Sequence, residues 1–65
     1  MRLHYDEKVD ALYLRLDDST IVESEEVKPG IVLDFNTARE VVGIEVLDLK
    51  RRVPTADLAQ LKVEA

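Results

Sequence analysis

Nothing in this chain can cross-link it: across sixty-five residues there is no cysteine and a single histidine. Disulfides are excluded, and so is a structural zinc site, which takes four Cys or His ligands. A chain this short cannot divide its apolar side chains between two cores, so residues 1–65 read as one domain with room for one layer of sheet and little else. Burial in a domain of this length barely exceeds the entropy of ordering it, which is why such domains usually carry a staple. With covalent and metal staples removed, association with another chain is the one left, and the expectation is a homo-oligomer, a dimer being favoured.

Periodicity is the next constraint. Leu3 and Tyr5 alternate with Arg2 and His4, and after the polar stretch Asp6 to Asp10 the segment Ala11 to Leu16 puts Leu12, Leu14 and Leu16 on one face, which reads as a β-hairpin. Asp17-Asp18-Ser19 is a turn, because short polar side chains bond their own backbone there, and Thr20 to Val27 follows as a β-branched but acid-rich strand. Pro29-Gly30 breaks it. Ile31 to Phe35 is the next strand, and Asn36-Thr37-Ala38-Arg39 turns the chain into Val41 to Val46, whose apolar residues on both faces suit a central or interface strand.

Beyond Asp48 the period moves from two toward three and four. Asp48 is placed to cap a helical turn over Leu49 to Arg52 that Pro54 ends, and Thr55 to cap a final helix in which Leu58 and Leu61 share a face. A helix of about three turns is marginal alone and must pack on something. The expected fold is therefore α+β: an antiparallel β-meander of four to five strands within residues 2–47, with a helical segment within 49–64 on one face. Its expected core is Leu12, Leu14, Leu33, Phe35, Ile44 and Val46, with Leu58 or Leu61 laid across. On the other side, Val41, Gly43 and Leu47 face away from Val42, Ile44 and Val46 and are the expected oligomer interface, since one helix cannot cover both sets.

The net charge of −5 is unevenly placed. Residues 1–26 hold three basic and eight acidic side chains, and residues 27–65 hold six of each. A negative surface repels phosphate backbones, which argues against nucleic acid unless Lys50-Arg51-Arg52 acts alone, and three adjacent basic residues suit a solvated helix terminus. No run approaches the apolar length of a membrane span, Met1 to Asp6 lacks the apolar stretch of a signal peptide, and the absence of cysteine fits a reducing compartment. A cytoplasmic protein with no membrane partner is expected.

Chemistry has few places to reside. Nucleophilic catalysis needs a nucleophile, a base and an orienting group, and His4, the one base, falls on the polar side of an edge strand. Asp34, Glu45 and Asp48 cluster if their strands are neighbours, for acid–base work or for weak Mg²⁺ or Ca²⁺ binding, but a single thin sheet has little depth to enclose a substrate and no calcium loop is present. Asp6 and Asp10 read as turn-making residues, Gly30 as a turn position with positive φ, and Gly43 as a bulge or close approach. Tyr5, Tyr13 and Phe35 are too few and too acid-flanked for a base-stacking platform, and packing is their expected role. The expectation is no enzyme, no cofactor and no metal.

Three stretches taken together resemble a known family: Tyr5-Asp6-Glu7-Lys8-Val9-Asp10-Ala11-Leu12-Tyr13-Leu14, Pro29-Gly30-Ile31-Val32-Leu33-Asp34, and Val41-Val42-Gly43-Ile44-Glu45-Val46-Leu47-Asp48. They resemble the small prokaryotic proteins filed as domain of unknown function 2283, over residues 3–49. The resemblance implies no activity. It implies a protein-binding role, because some members lie beside genes for small toxins and have been proposed as antitoxins. The turn Asn36 to Glu40 departs from the family's Asp-x-x-Gly hairpin in lacking the glycine.

Two binding readings follow. In one, the domain is an inhibitory, antitoxin-like module whose acidic segment, Asp17, Asp18, Glu23, Glu25 and Glu26, forms an edge that receives a basic protein. In the other it is a self-associating structural protein, and the same carboxylates guard an edge strand against unwanted pairing.

Overall fold

The computed structural model describes residues 1–54. The expected second helix, with Leu58 and Leu61, lies outside the described residues. Five strands form one antiparallel sheet: β1 (Arg2–Asp6), β2 (Ala11–Arg15), β3 (Glu23–Lys28), β4 (Ile31–Phe35) and β5 (Val41–Val46), followed by the short helix α1 (Leu49–Arg52). The order across the sheet is β1-β2-β5-β4-β3. The expected α+β architecture is present, with its meander in two consecutive runs, β1–β2 and β3–β4–β5, that join where β5 pairs with β2. β5 is thus the middle strand, the central position expected of it. No helix among the described residues is long and apolar enough to cross a membrane.

The turns show why the chain reverses where it does. Between β1 and β2 the Asp6 carboxylate accepts the Lys8 N–H at 2.9 Å, the expected Asx turn. Between β3 and β4, Gly30 takes φ 80°, a conformation that costs glycine nothing, and Pro29 presets the residue before it. Between β4 and β5 the position where the resemblance leads one to expect glycine is Arg39, which adopts φ 61°. That conformation costs a non-glycine residue about 1–2 kcal/mol. Asn36 holds it in place: its Oδ1 accepts the N–H groups of Ala38 and Glu40, each at 3.0 Å, and its Nδ2 donates to Glu40 Oε1 at 2.9 Å.

Strand pairing sorts the side chains. Leu3 stands opposite Leu14 and Tyr5 opposite Leu12; Leu12 faces Val46, Leu14 faces Ile44, and these in turn face Ile31 and Leu33. One face of the sheet is therefore apolar across β1, β2, β5 and β4. The other carries Arg2, His4, Tyr13, Arg15, Glu45, Asp34, Ser24 and Glu26. The expected core residues Leu12, Leu14, Leu33, Phe35, Ile44 and Val46 are each half-buried; the apolar side chains that are buried among the described residues are Ala11, Val42 and Leu49.

The acid-rich strand was expected over Thr20–Val27 and forms over Glu23–Lys28. The earlier residues have less of the sheet to pair with: Val22 reaches it through its N–H to the Phe35 carbonyl at 2.9 Å.

Helix α1 forms as expected, but its cap is not Asp48. That residue lies at the N-terminal boundary with φ 53°, and its side chain makes no cap hydrogen bond. Asp10, forty positions before Lys50, supplies both bonds: its carbonyl accepts the Leu49 N–H at 3.0 Å and its Oδ2 accepts the Lys50 N–H at 2.9 Å. At the other end Arg52 donates from Nε to the Leu47 carbonyl at 2.8 Å and from Nη2 to the Pro29 carbonyl, with its guanidinium lying where a Cβ on Gly30 would stand. A four-residue helix has no stability of its own. This one persists because it is fastened to the turns of two hairpins.

Candidate functional site

Among the described residues the apolar face is a feature that could meet another molecule. Along the row Leu3, Leu14, Ile44, Leu33, Glu25, the register carries four apolar side chains across four strands and ends on a carboxylate in the edge strand β3. Glu23 stands opposite Phe35 and projects to the same side as Glu25, while Glu26 pairs with Val32 on the polar face. Every residue of β3 is exposed.

The five acidic residues expected to form one edge do not. Glu23, Glu25 and Glu26 are on the edge strand β3, but Asp18 forms an ion pair with Arg2 at 2.8 Å, which places it beside β1 at the opposite margin of the sheet. Asp17 makes a turn: its Oδ1 accepts the Ser19 N–H at 2.7 Å, and hydrogen bonding from Ser19 holds its carboxyl below the usual carboxylate range. Sequence proximity suggested one segment, whereas the β2–β3 connection carries the chain across the whole sheet.

Nor do Val41, Gly43 and Leu47 form one stripe. Val41 pairs with Phe35 and Gly43 with Asp34, adjacent residues of β4, and the register slips between those two pairs. The irregularity puts Val41 and Gly43 on opposite sides of the sheet, because successive β4 residues point opposite ways. Leu47 lies beyond β5, its N–H on the Gly30 carbonyl at 2.8 Å.

On the polar face, Gly43 leaves the space that a buried network occupies. Tyr13 Oη donates to Asp34 Oδ2 at 3.1 Å and Ser24 Oγ donates to Asp34 Oδ1 at 2.6 Å, so Asp34, 6% exposed, has both oxygens bonded. Arg15 donates to the Ser19 carbonyl and, from Nε, to the Asp17 carbonyl at 2.6 Å. Asp34 and Glu45 share this face on neighbouring strands, but Asp48 pairs with Arg51 at 3.0 Å beyond β5. Among the described residues no three His, Cys, Asp or Glu side chains are grouped to hold a metal ion. His4 is exposed in the edge strand β1, opposite Tyr13.

A second polar cluster ties β1 to α1. Tyr5 Oη donates to Asp10 Oδ1 at 2.6 Å while Asp10 Oδ2 takes the Lys50 N–H. Asp10 was read as a local turn-maker and is instead this long-range joint. The Tyr5 hydroxyl bond, then the Lys50 N–H, hold the Asp10 carboxyl below the usual carboxylate range, and the same bond, with burial and the nearby carboxylates, pushes Tyr5 up to about 12. A carboxylate with a depressed value in the folded state contributes stability that is present above its unfolded value and is lost as pH falls through the folded one. Asp10→Asn should therefore flatten the acid arm of the stability curve below about pH 4, leaving the share of Asp17. Urea unfolding at a series of pH values checks this; an unchanged acid slope contradicts it.

Lys50, Arg51 and Arg52, read as a solvated helix terminus, are exposed in the last turn of α1, yet Arg51 is paired with Asp48 and Arg52 with two backbone carbonyls. A family model described as protein of unknown function (DUF2283) matches residues 2–50. No curated protein and no solved structure matches the chain.

Proposed function

The chain belongs to the family described as protein of unknown function (DUF2283), and from that premise we propose that it is a non-catalytic protein-association domain, an antitoxin-like inhibitory module that binds a basic partner. One observation supports this above the others: Leu12, Leu14, Ile31, Leu33, Phe35, Ile44 and Val46 of one sheet face stay half-buried among the described residues, and Glu23, Glu25 and Lys28 stand at its β3 margin. Apolar surface bounded by charge is what a specific protein contact uses, the first for affinity and the second for association rate and partner choice. The polar face offers less to a substrate, because Asp34 is occupied by Tyr13 and Ser24. Nucleic acid and membrane fall outside this reading, since Arg51 and Arg52 are engaged in fastening α1. A reducing cytoplasm is the compartment that the cysteine-free sequence suits.

A self-associating homo-oligomer, a dimer in its simplest form, is the second reading. Leu3, 41% exposed in an edge strand, extends the apolar face to the sheet's margin and favours it. Co-expression with a neighbouring basic protein separates the two. A soluble stoichiometric complex that Leu3→Glu abolishes supports the inhibitory module; a homo-oligomer indifferent to that protein sinks it and supports the second reading.

A further inference from the structure

We infer that the occupant of the apolar face is an amphipathic helix of the partner, laid across the strands with its basic end over Glu23 and Glu25. This rests on the reading of that face as the contact surface and adds the shape, direction and charge of what it takes.

The shape follows from backbone chemistry. The face offers Leu3, Tyr5, Leu12, Leu14, Ile31, Leu33, Ile44 and Val46, none of which can bond a peptide group except through the Tyr5 hydroxyl, already given to Asp10. An extended segment laid on it would bury N–H and C=O groups without partners, whereas a helix satisfies its own. At about 4.8 Å between strands, the row from Leu3 to Glu25 is about 19 Å long. A helix of about thirteen residues spans it.

Charge sets the direction and weighs against the nearer occupants. Along both central rows the side chains are apolar until β3, where Glu25 ends one row and Lys28 the other, with Glu23 alongside. Glu23 has one loose contact, 4.0 Å from the exposed Arg39. Among the described residues Glu25 has no ion-pair partner. A second copy placed face to face would set these carboxylates against their equivalents if β3 lay over β3 in the same direction, and against Leu3 and Tyr5 if β3 lay over β1; only the reversed pairing of β3 with β3, which brings Lys28 of one copy to Glu25 of the other, compensates them. Residues 55–65 hold Asp57 and Glu64 against Lys62 and bring no positive excess. A partner helix with a Leu-type stripe and Lys or Arg at one end complements both features.

The test uses the full ¹⁵N-labelled chain and two synthetic helical peptides of that length, identical in their leucine stripe, one ending in lysines and one in glutamates. Backbone shifts should follow the rows through Leu14, Ile44, Leu33 and Glu25, and the lysine peptide should bind about fivefold more tightly, as two exposed ion pairs allow. Glu23→Gln with Glu25→Gln should erase that preference while leaving the fold intact. Equal affinity for the two peptides overturns the proposal, as do shifts centred on Tyr13 and Asp34. Absence of binding with a mass that rises with concentration assigns the face to a second copy, and binding only after removal of residues 55–65 assigns it to the chain itself; either overturns it. If Leu3→Glu abolishes a complex captured by co-expression with a basic protein while neither peptide binds, the helix is wrong and the contact face stands.

Discussion

Gly43→Ala should destabilise the domain by about 2 kcal/mol, although alanine is ordinarily the better strand residue. A Cβ on Gly43 would stand 2.8 Å from Asp34 Oδ2 and 2.8 Å from the Tyr13 hydroxyl, closer than real Cβ contacts come. Asp34 is the less movable of the two, being buried and held by Ser24, so Tyr13 must give way. The bond lost is one to a charged group, worth about 1.5–3 kcal/mol, and the small gain in strand propensity offsets only part of it. Valine in the same place should cost more. Tyr13→Phe removes one of the two clashing atoms, so the pair Gly43→Ala with Tyr13→Phe should be less destabilised than the sum of the single changes by at least about 0.5 kcal/mol. Urea midpoints of the four proteins decide it. A Gly43→Ala protein within about 0.5 kcal/mol of the parent, the range of ordinary surface changes, would show that the network has room to spare.

Asn36→Ala should cost a comparable amount, about 2 kcal/mol, through a different route. The side chain is 8% exposed and makes three hydrogen bonds within the β4–β5 turn. Alanine leaves the N–H groups of Ala38 and Glu40 to water, which their exposure permits, and this keeps the loss below three full buried bonds. It also removes what holds Arg39 in its left-handed conformation. Arg39→Gly should move stability the other way, by up to about 1 kcal/mol, because glycine adopts φ 61° without the Cβ cost. Thermal unfolding of both variants checks the pair. An Asn36→Ala protein as stable as the parent, or an Arg39→Gly protein less stable, would mean that the turn takes its shape from the strands alone.

Both sites show where sequence reading stops. The turn was legible, since Asn36 to Arg39 lies between two apolar runs and departs from the family's hairpin in lacking the glycine; that Arg39 takes the left-handed conformation was not. Gly43 was legible only as an anomaly, a glycine inside a strand, because the atoms that require it belong to Tyr13 and Asp34, on strands either side of β5. Glu23 and Glu25 beside apolar positions marked β3 as an edge strand, since carboxylates on that face are tolerable only where water reaches them. The joint of Tyr5, Asp10 and Lys50 left no comparable signal. Asp10 looks like any turn aspartate until α1 is seen beside it.

By itself the sequence determined the alternation of each strand, the sites of its turns, the edge position of the acidic strand and the excess of negative charge. Each of these depends on residues within a few positions of one another, and local sterics, hydrogen bonding and period-two burial act over that range. Only the tertiary structure decided that β5 lies between β2 and β4, that Asp18 sits by β1 and not by β3, that Val41 and Gly43 part company at a bulge, and that α1 is capped by Asp10 and fastened by Arg52. Those outcomes depend on which strand edges meet and in what register. That is settled by the joint burial of one apolar face across four strands, an energy that no single segment contains.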